Sequence, residues 1–150
     1  MSIKYAHTNI ISKNWKKLAD FYICVFECAP APPIRDLSGE WLANGTAVEN
    51  ASLHGMHLRL PGYGDDGPTL EIYSYGNMLE KPEPPEANRK GFGHLAFEVD
   101  DVKETLEKMI LHGGTELGEI VEKEIEGVGI LTFTYATDPE GNIIEIQSWK

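Results

Sequence analysis

At 150 residues the chain is long enough for one ordinary domain, or for two half-size modules sharing a core, and too short for two independent domains. With 24 acidic against 13 basic side chains its net charge is −11, and no cluster of Lys or Arg offsets this locally, which argues against nucleic-acid binding. Hydrophobic and charged residues make up 41% and 25%, ordinary values for a globular protein, and no apolar run approaches the roughly 20 residues that span a bilayer. The opening Met-Ser-Ile-Lys-Tyr lacks the basic start, apolar run and cleavage site of a secretory signal, so a cytoplasmic location is the expectation.

Residues Lys4 to Ile11 suit a strand. From Asn14 to Phe26, Trp15, Leu18, Ala19, Tyr22 and Phe26 fall at helical spacing, with Trp15 and Tyr22 expected in the core. Cys24 and Cys28 lie four apart on this helix, which suits neither a zinc knuckle nor a redox Cys-x-x-Cys pair, so both are expected to be buried free thiols. The stretch from Ala29 to Asn50 carries Pro30, Pro32 and Pro33 before a short helix around Ser38 to Leu42; it is expected to replace or displace a strand, as a substrate lid or as an inert excursion. Leu53 to Leu60 and Thr69 to Tyr75 read as strands joined by a Gly- and Asp-rich turn, and the Pro-rich stretch from Gly76 to Gly91 reads as a linker.

The second half begins with a strand from Gly93 to Val99. A helix follows, with Asp100 or Asp101 as N-cap, an apolar stripe of Val102, Leu106, Met109 and Ile110, and a stop at Gly113-Gly114. Further strands are expected at Glu116 to Glu124, Gly129 to Ala136 and Asn142 to Trp149, the last two joined by Asp138-Pro139-Glu140-Gly141, whose Pro and Gly positions suit a type I turn. His112, at the end of the second helix, complements the helix dipole and reads as structural.

The two halves repeat. Thr69 to Tyr75, Thr-Leu-Glu-Ile-Tyr-Ser-Tyr, returns as Ile143 to Trp149, Ile-Ile-Glu-Ile-Gln-Ser-Trp, while His7 and His94 each stand eight residues before the first apolar residue of a helix. The distance from His to Glu is 64 residues in the first half and 51 in the second, which places a surplus of about 13 residues in the Ala29 to Asn50 stretch. Strand alternation puts Leu70, Ile72 and Ser74 on one face and Glu71, Tyr73 and Tyr75 on the other; likewise Ile144, Ile146 and Ser148 oppose Ile143, Glu145, Gln147 and Trp149. A lone Glu on an outer strand face is most often solvated, and a lone strand His most often structural. One His and one Glu at matching places in both modules form instead a set suited to a divalent metal. His54 and His57 point to opposite faces; His57 and Arg59 share one and are either substrate contacts or exposed residues, and Tyr5, Tyr73, Tyr75 and Trp149 are pocket walls or ordinary packing.

This pattern resembles the vicinal oxygen chelate superfamily, which includes glyoxalase I, methylmalonyl-CoA epimerase, extradiol dioxygenases, fosfomycin-resistance enzymes and bleomycin-binding proteins. The most specific stretches are His7 with Phe21-Tyr22, Gly93-His94-Leu95-Ala96-Phe97 leading to Val99-Asp100-Asp101, and Asp138-Pro139-Glu140-Gly141 leading to Ile144-Glu145-Ile146, with Ala29 to Leu53 matching poorly. The resemblance implies an α+β fold of two βαβββ modules, about 1–76 and 92–150, forming an open U-shaped mixed sheet around a central cleft. It further implies metal ligands His7, Glu71, His94 and Glu145, a set most like that of glyoxalase I.

On that reading the protein is a metal-dependent lyase or isomerase. A proton moves through a metal-bound enediolate of a small oxo-compound or thiol adduct, with Glu145 as preferred base and Glu71 as its symmetric partner. His57, Arg59, Tyr73 and Trp149 contact substrate. The metal is Ni, Zn, Co or Mn, glutathione or another thiol is the candidate cosubstrate, and a homodimer is expected, as superfamily members often share sites between chains. The alternatives are a metal-dependent dioxygenase, an acyl-CoA epimerase, or a non-catalytic small-molecule (antibiotic) binder.

Overall fold

The computed structural model describes residues 2–150, which form two compact units, one ending at Glu80 and the other starting at Lys81. In the first, the chain runs β1 (His7–Ile11), α1 (Trp15–Phe26), β2 (Ala29–Ser38), α2 (Glu40–Thr46), β3 (Ser52–Arg59) and β4 (Thr69–Tyr75). The sheet order is β1-β4-β3-β2, with β1 and β4 parallel and the other pairs antiparallel. Two parallel strands cannot be joined by a tight turn, and α1 supplies part of the crossover. It starts where the Asn14 side chain accepts a hydrogen bond from the Lys17 amide at 3.2 Å, and ends where Glu27 turns left-handed at φ 57°. Its Leu18, Ala19, Phe21, Tyr22, Val25 and Phe26 are buried, and it lies on β3 and β4, whose Leu58, Leu70 and Ile72 are fully buried. Each such aliphatic side chain contributes roughly 1.5–3 kcal/mol.

Three expectations need correction here. The Pro-rich stretch does not replace the second strand: it is that strand, β2, at the sheet edge, where prolines cost no ladder bond, and its register shifts between Ala31 and Arg35. The surplus residues instead form α2, whose Leu42 builds a small apolar cluster with Ala51, Leu53 and Tyr73, flanked by Leu37, Ala43, Val48 and Tyr75. Trp15 is only half-buried, since the first residue of α1 lies at its rim with Lys16 over the indole; Tyr22 is in the core as expected. Cys24 is exposed, lying between the two buried turns of α1, whereas Cys28 is buried; both are free thiols.

The second unit runs β5 (Leu95–Glu98), α3 (Val102–Leu111), β6 (Thr115–Glu116), β7 (Val121–Ile125), β8 (Gly129–Thr137) and β9 (Ile143–Trp149). The order is β5-β9-β8-β6, with β7 also paired to β8, and β5 and β9 are parallel. The strand expected over Glu116 to Glu124 is thus broken into β6 and β7 at residues 117–120, where the Leu117 and Gly118 amides share the Tyr135 carbonyl. Asp101 caps α3 by accepting from the Glu104 amide at 2.9 Å, and the Gly114 amide returns to the Met109 carbonyl at 2.8 Å. Val102, Leu106 and Met109 cover β8 and β9, where Ala136, Ile144 and Ile146 are fully buried. The β8–β9 turn is tied by buried Asp138, which accepts from the amides of Glu140 and Asn142 and from the Asn142 side chain. Both units are therefore βαβββ modules of an α+β fold, the first carrying α2 as an addition. Among the described residues, no helix is long and apolar enough to cross a membrane.

Burial pushes the Cys28 thiol up to about 12, so at pH 8 it is almost wholly un-ionised and shielded. A colorimetric thiol reagent at that pH should titrate one cysteine, Cys24, in the native protein and both after denaturation.

Candidate functional site

Register explains how the repeated residues meet. In the first unit Thr8 pairs with Leu70 and in the second Leu95 pairs with Ile144, so His7 and His94 occupy the same place relative to Glu71 and Glu145. The distances follow: His7 Nε2 lies 3.5 Å from Glu71 Oε1, and His94 Nε2 lies 3.0 Å from Glu145 Oε2. Antiparallel pairing adds a third equivalence, with His57 opposite Glu71 and Tyr135 opposite Glu145. Each unit thus holds a His–Glu pair, and the residue facing the glutamate from the next strand differs between them.

In the first unit Glu71 is 8% exposed, and the cost of burying its charge is offset by several donors. Asn9 Nδ2 donates to Oε1 at 2.8 Å, and His57 Nε2 lies 2.8 Å from Oε2. Tyr73 adds a hydrogen bond to the same carboxylate; burial first, then that bond and the Glu71 charge, raise its hydroxyl well above the usual phenol range. Burial lowers His57 below its ordinary value, against the upward pull of Glu71 and with the charges of Arg35 and His7 acting in the same downward direction. The His57–Glu71 contact is therefore a hydrogen bond from a neutral imidazole rather than an ion pair. The tautomer follows: Nε2 carries the proton towards Glu71, and Nδ1 accepts from Thr69 Oγ1 at 3.0 Å.

His7, His57 and Glu71 form a group whose ligand atoms all lie within 4.8 Å of one another. Strand alternation placed His57 on the face of Arg59 and opposite to that of His54; that this is also the face of Glu71, and that the two residues pair, depends on a register that sequence periodicity does not report. Asn9, the second support of Glu71, was not singled out by sequence; its position two residues after His7 on the same strand face was the available signal. Among the other sequence candidates, Arg59 is engaged away from the glutamate, with Asp65 at 3.7 Å and the Pro30 carbonyl at 3.2 Å. Tyr5 is exposed and bonds Thr8. His54 faces Asp36 at 3.4 Å, apart from His57 as expected.

In the second unit Trp149 Nε1 donates to Gln147 Oε1, and Gln147 Nε2 reaches Glu145 Oε1 at 3.5 Å. The Tyr135 ring lies 4.6 Å from that of His94, its hydroxyl raised by burial and then by the Glu145 charge. Glu145 is more exposed and less tightly held than Glu71.

Gly55 makes the tight half possible. It pairs with Tyr73, and a Cβ on it would lie 2.0 Å from the Ile72 carbonyl oxygen and 2.5 Å from Tyr73 Cδ1. The Tyr73 ring occupies the space a side chain would need, beside His57. Gly55→Ala should lower the urea unfolding free energy by about 1–3 kcal/mol through overpacking, with the Tyr73 and His57 ring resonances shifted in NMR spectra.

Comparison with known proteins gives the family. A family model described as Glyoxalase/Bleomycin resistance protein/Dioxygenase superfamily matches residues 4–146. The fold is similar to that of a glyoxalase family protein from Bacillus cereus, with a TM-score of 0.77, 17% identity, and coverage of 98% of this chain and 93% of that one. It is also similar to the genomically encoded fosfomycin resistance protein FosX of Listeria monocytogenes, with a TM-score of 0.59, 15% identity, and coverage of 100% and 96%. A variant of that protein complexed with Mn(II) and 1S,2S-dihydroxypropylphosphonic acid matches with a TM-score of 0.53, 17% identity and coverage of 97% and 92%. No curated protein matched the chain. Two βαβββ units, each bringing a histidine beside a glutamate, and a family match over nearly the whole length lead to one conclusion: the chain belongs to the glyoxalase/bleomycin resistance protein/dioxygenase superfamily.

Proposed function

We propose that this protein is a divalent-metal-dependent lyase or isomerase of the glyoxalase I type, acting on a small oxo-compound or its thiol adduct, with His7, Glu71, His94 and Glu145 as metal ligands. The observation that carries the reading is the identical placement of a His–Glu pair in both units, 3.5 Å apart in one and 3.0 Å in the other. Two imidazoles with two carboxylates suit Ni, Zn, Co or Mn. Bound there, the metal would act as a Lewis acid that makes a carbon next to a carbonyl easier to deprotonate.

The chain's own residues divide the remaining work. Glu71 has donors on both oxygens, from Asn9 and from His57, and is fitted to stay in place as a ligand. Among the described residues Glu145 meets His94 and a long contact from Gln147, and it has lone pairs free to accept a proton from substrate and return it to the neighbouring carbon. His57 and Tyr73 hold Glu71 rather than substrate, and Trp149 and Gln147 lie beside the base.

One observation favours a second reading. His7, His57 and Glu71 are two histidines and a carboxylate, the donor types of a non-haem iron oxygenase site. Against it, His57 has both ring nitrogens engaged, Nε2 with Glu71 and Nδ1 with Thr69, so it would have to break a bond to become a ligand.

Elemental analysis separates the two. Ni, Zn, Co or Mn near one per site should be present in the wild type, lost in a His94→Ala/Glu145→Ala double variant and retained in His57→Ala. Iron that disappears in His57→Ala would establish the oxygenase reading instead, and no metal in any form after reconstitution would sink both. With metal retained, Glu145→Gln should reduce hemithioacetal isomerisation by about 10²–10⁴-fold, the range for loss of a general base.

A further inference from the structure

Arg35 stands on the same sheet face as the first-unit cluster. It pairs with Gly55, which pairs in turn with Tyr73, and the adjacent row on that face is His57 and Glu71. The strand β2 reaches this position through the register shift between Ala31 and Arg35, so the bulge sets where the guanidinium begins. Gly55 contributes no side chain, and the Tyr73 ring fills its place. On the far side of Arg35, Leu37 pairs with Leu53 beneath the apolar cluster of α2.

Arg35 is only half-exposed, and among the described residues it has no carboxylate partner, although the chain carries 24 acidic side chains. Its Nη1 donates to the Pro33 carbonyl, which anchors one arm of the fork and leaves the remaining donors of a five-donor group open. By contrast, the other cation on this face, Arg59, is paired with Asp65. An unpaired guanidinium beside a histidine–glutamate cluster, in a protein of net charge −11, is arranged to receive an anion. Its field reaches the cluster: burial chiefly lowers His57, the Glu71 carboxylate pulls it up, and Arg35 adds a smaller downward push.

We propose that Arg35 is a specificity-determining residue that binds a carboxylate or phosphoryl group of the substrate, so that the compound acted on is a small oxyanion-bearing molecule. This rests on the reading of the neighbouring cluster as part of the active site and deepens it by naming the substrate class.

The test is binding of inorganic phosphate and of acetate, in separate arms, to the protein as purified. It is followed by the shift of Tyr73 and His57 ring resonances in wild type, Arg35→Gln and Arg35→Lys, with metal content measured on each sample. Saturable binding of either anion, weakened about tenfold or more in Arg35→Gln and partly restored in Arg35→Lys at unchanged metal content, is the expected result. The tighter anion then identifies the group as phosphoryl or carboxylate. Equal affinity in wild type and Arg35→Gln, or no saturable binding of either anion by the wild type, overturns the proposal. Because the metal content is read independently, loss of the anion site and loss of the metal reading are separate outcomes.

Discussion

The arrangement depends on parallel pairing between the first and last strand of each unit. A parallel neighbour cannot be reached by a hairpin, so the chain must leave the sheet, cross over and return, and the helix and the remaining strands of each module form that excursion. The result is that residues far apart in sequence, His7 and Glu71 or His94 and Glu145, lie on adjacent strands, their positions fixed by backbone ladders rather than by flexible loops. Aliphatic residues on the opposite face of the same strands, Leu70 and Ile72 or Ile144 and Ile146, lock that register, because a slip by one residue would exchange the buried and polar faces. Core packing and site geometry are thus two faces of one constraint.

Within this symmetry the two glutamates have diverged. Opposite Glu71 stands His57, whose neutral ring donates to the carboxylate, while Asn9 occupies the other oxygen. Opposite Glu145 stands Tyr135, and the place corresponding to Asn9 is filled by Ala96, which has nothing to donate. A buried carboxylate needs such donors, and each one it accepts makes it a more rigid ligand and a less available proton acceptor. Two residue differences therefore convert a repeated His–Glu pair into one anchored and one adaptable carboxylate.

Much of this was legible in the sequence for identifiable reasons. Thr69–Tyr75 was readable to the residue, and the last strand, expected over Asn142 to Trp149 and found at Ile143–Trp149, to within one, because alternation and turn residues bound them. The His and Glu equivalences were readable because the repeat preserves them. β2 was not, since three prolines oppose a strand assignment unless the strand lies at an edge, and edge position is a property of the assembled sheet. The break between β6 and β7 was hidden because an exposed strand lacks the buried residues that mark alternation. His57 was separable from His54 by alternation, yet its place beside Glu71 required the register across the 60–68 turn, which composition does not determine.

The added helix α2 shows why the poorly matching stretch bears on chemistry as well as shape. Its apolar cluster sits on Leu53 and Tyr73, the same sheet face that carries His57 and Glu71, so it covers one end of that face. Tyr73 belongs to both regions: its ring packs in the cluster over Gly55, and its hydroxyl lies 3.0 Å from His57 Nε2. Packing of α2 is thereby coupled mechanically to the orientation of His57 and, through it, to Glu71. A change in this insertion would therefore alter the setting of Glu71 without replacing the carboxylate or the residues that bond it directly.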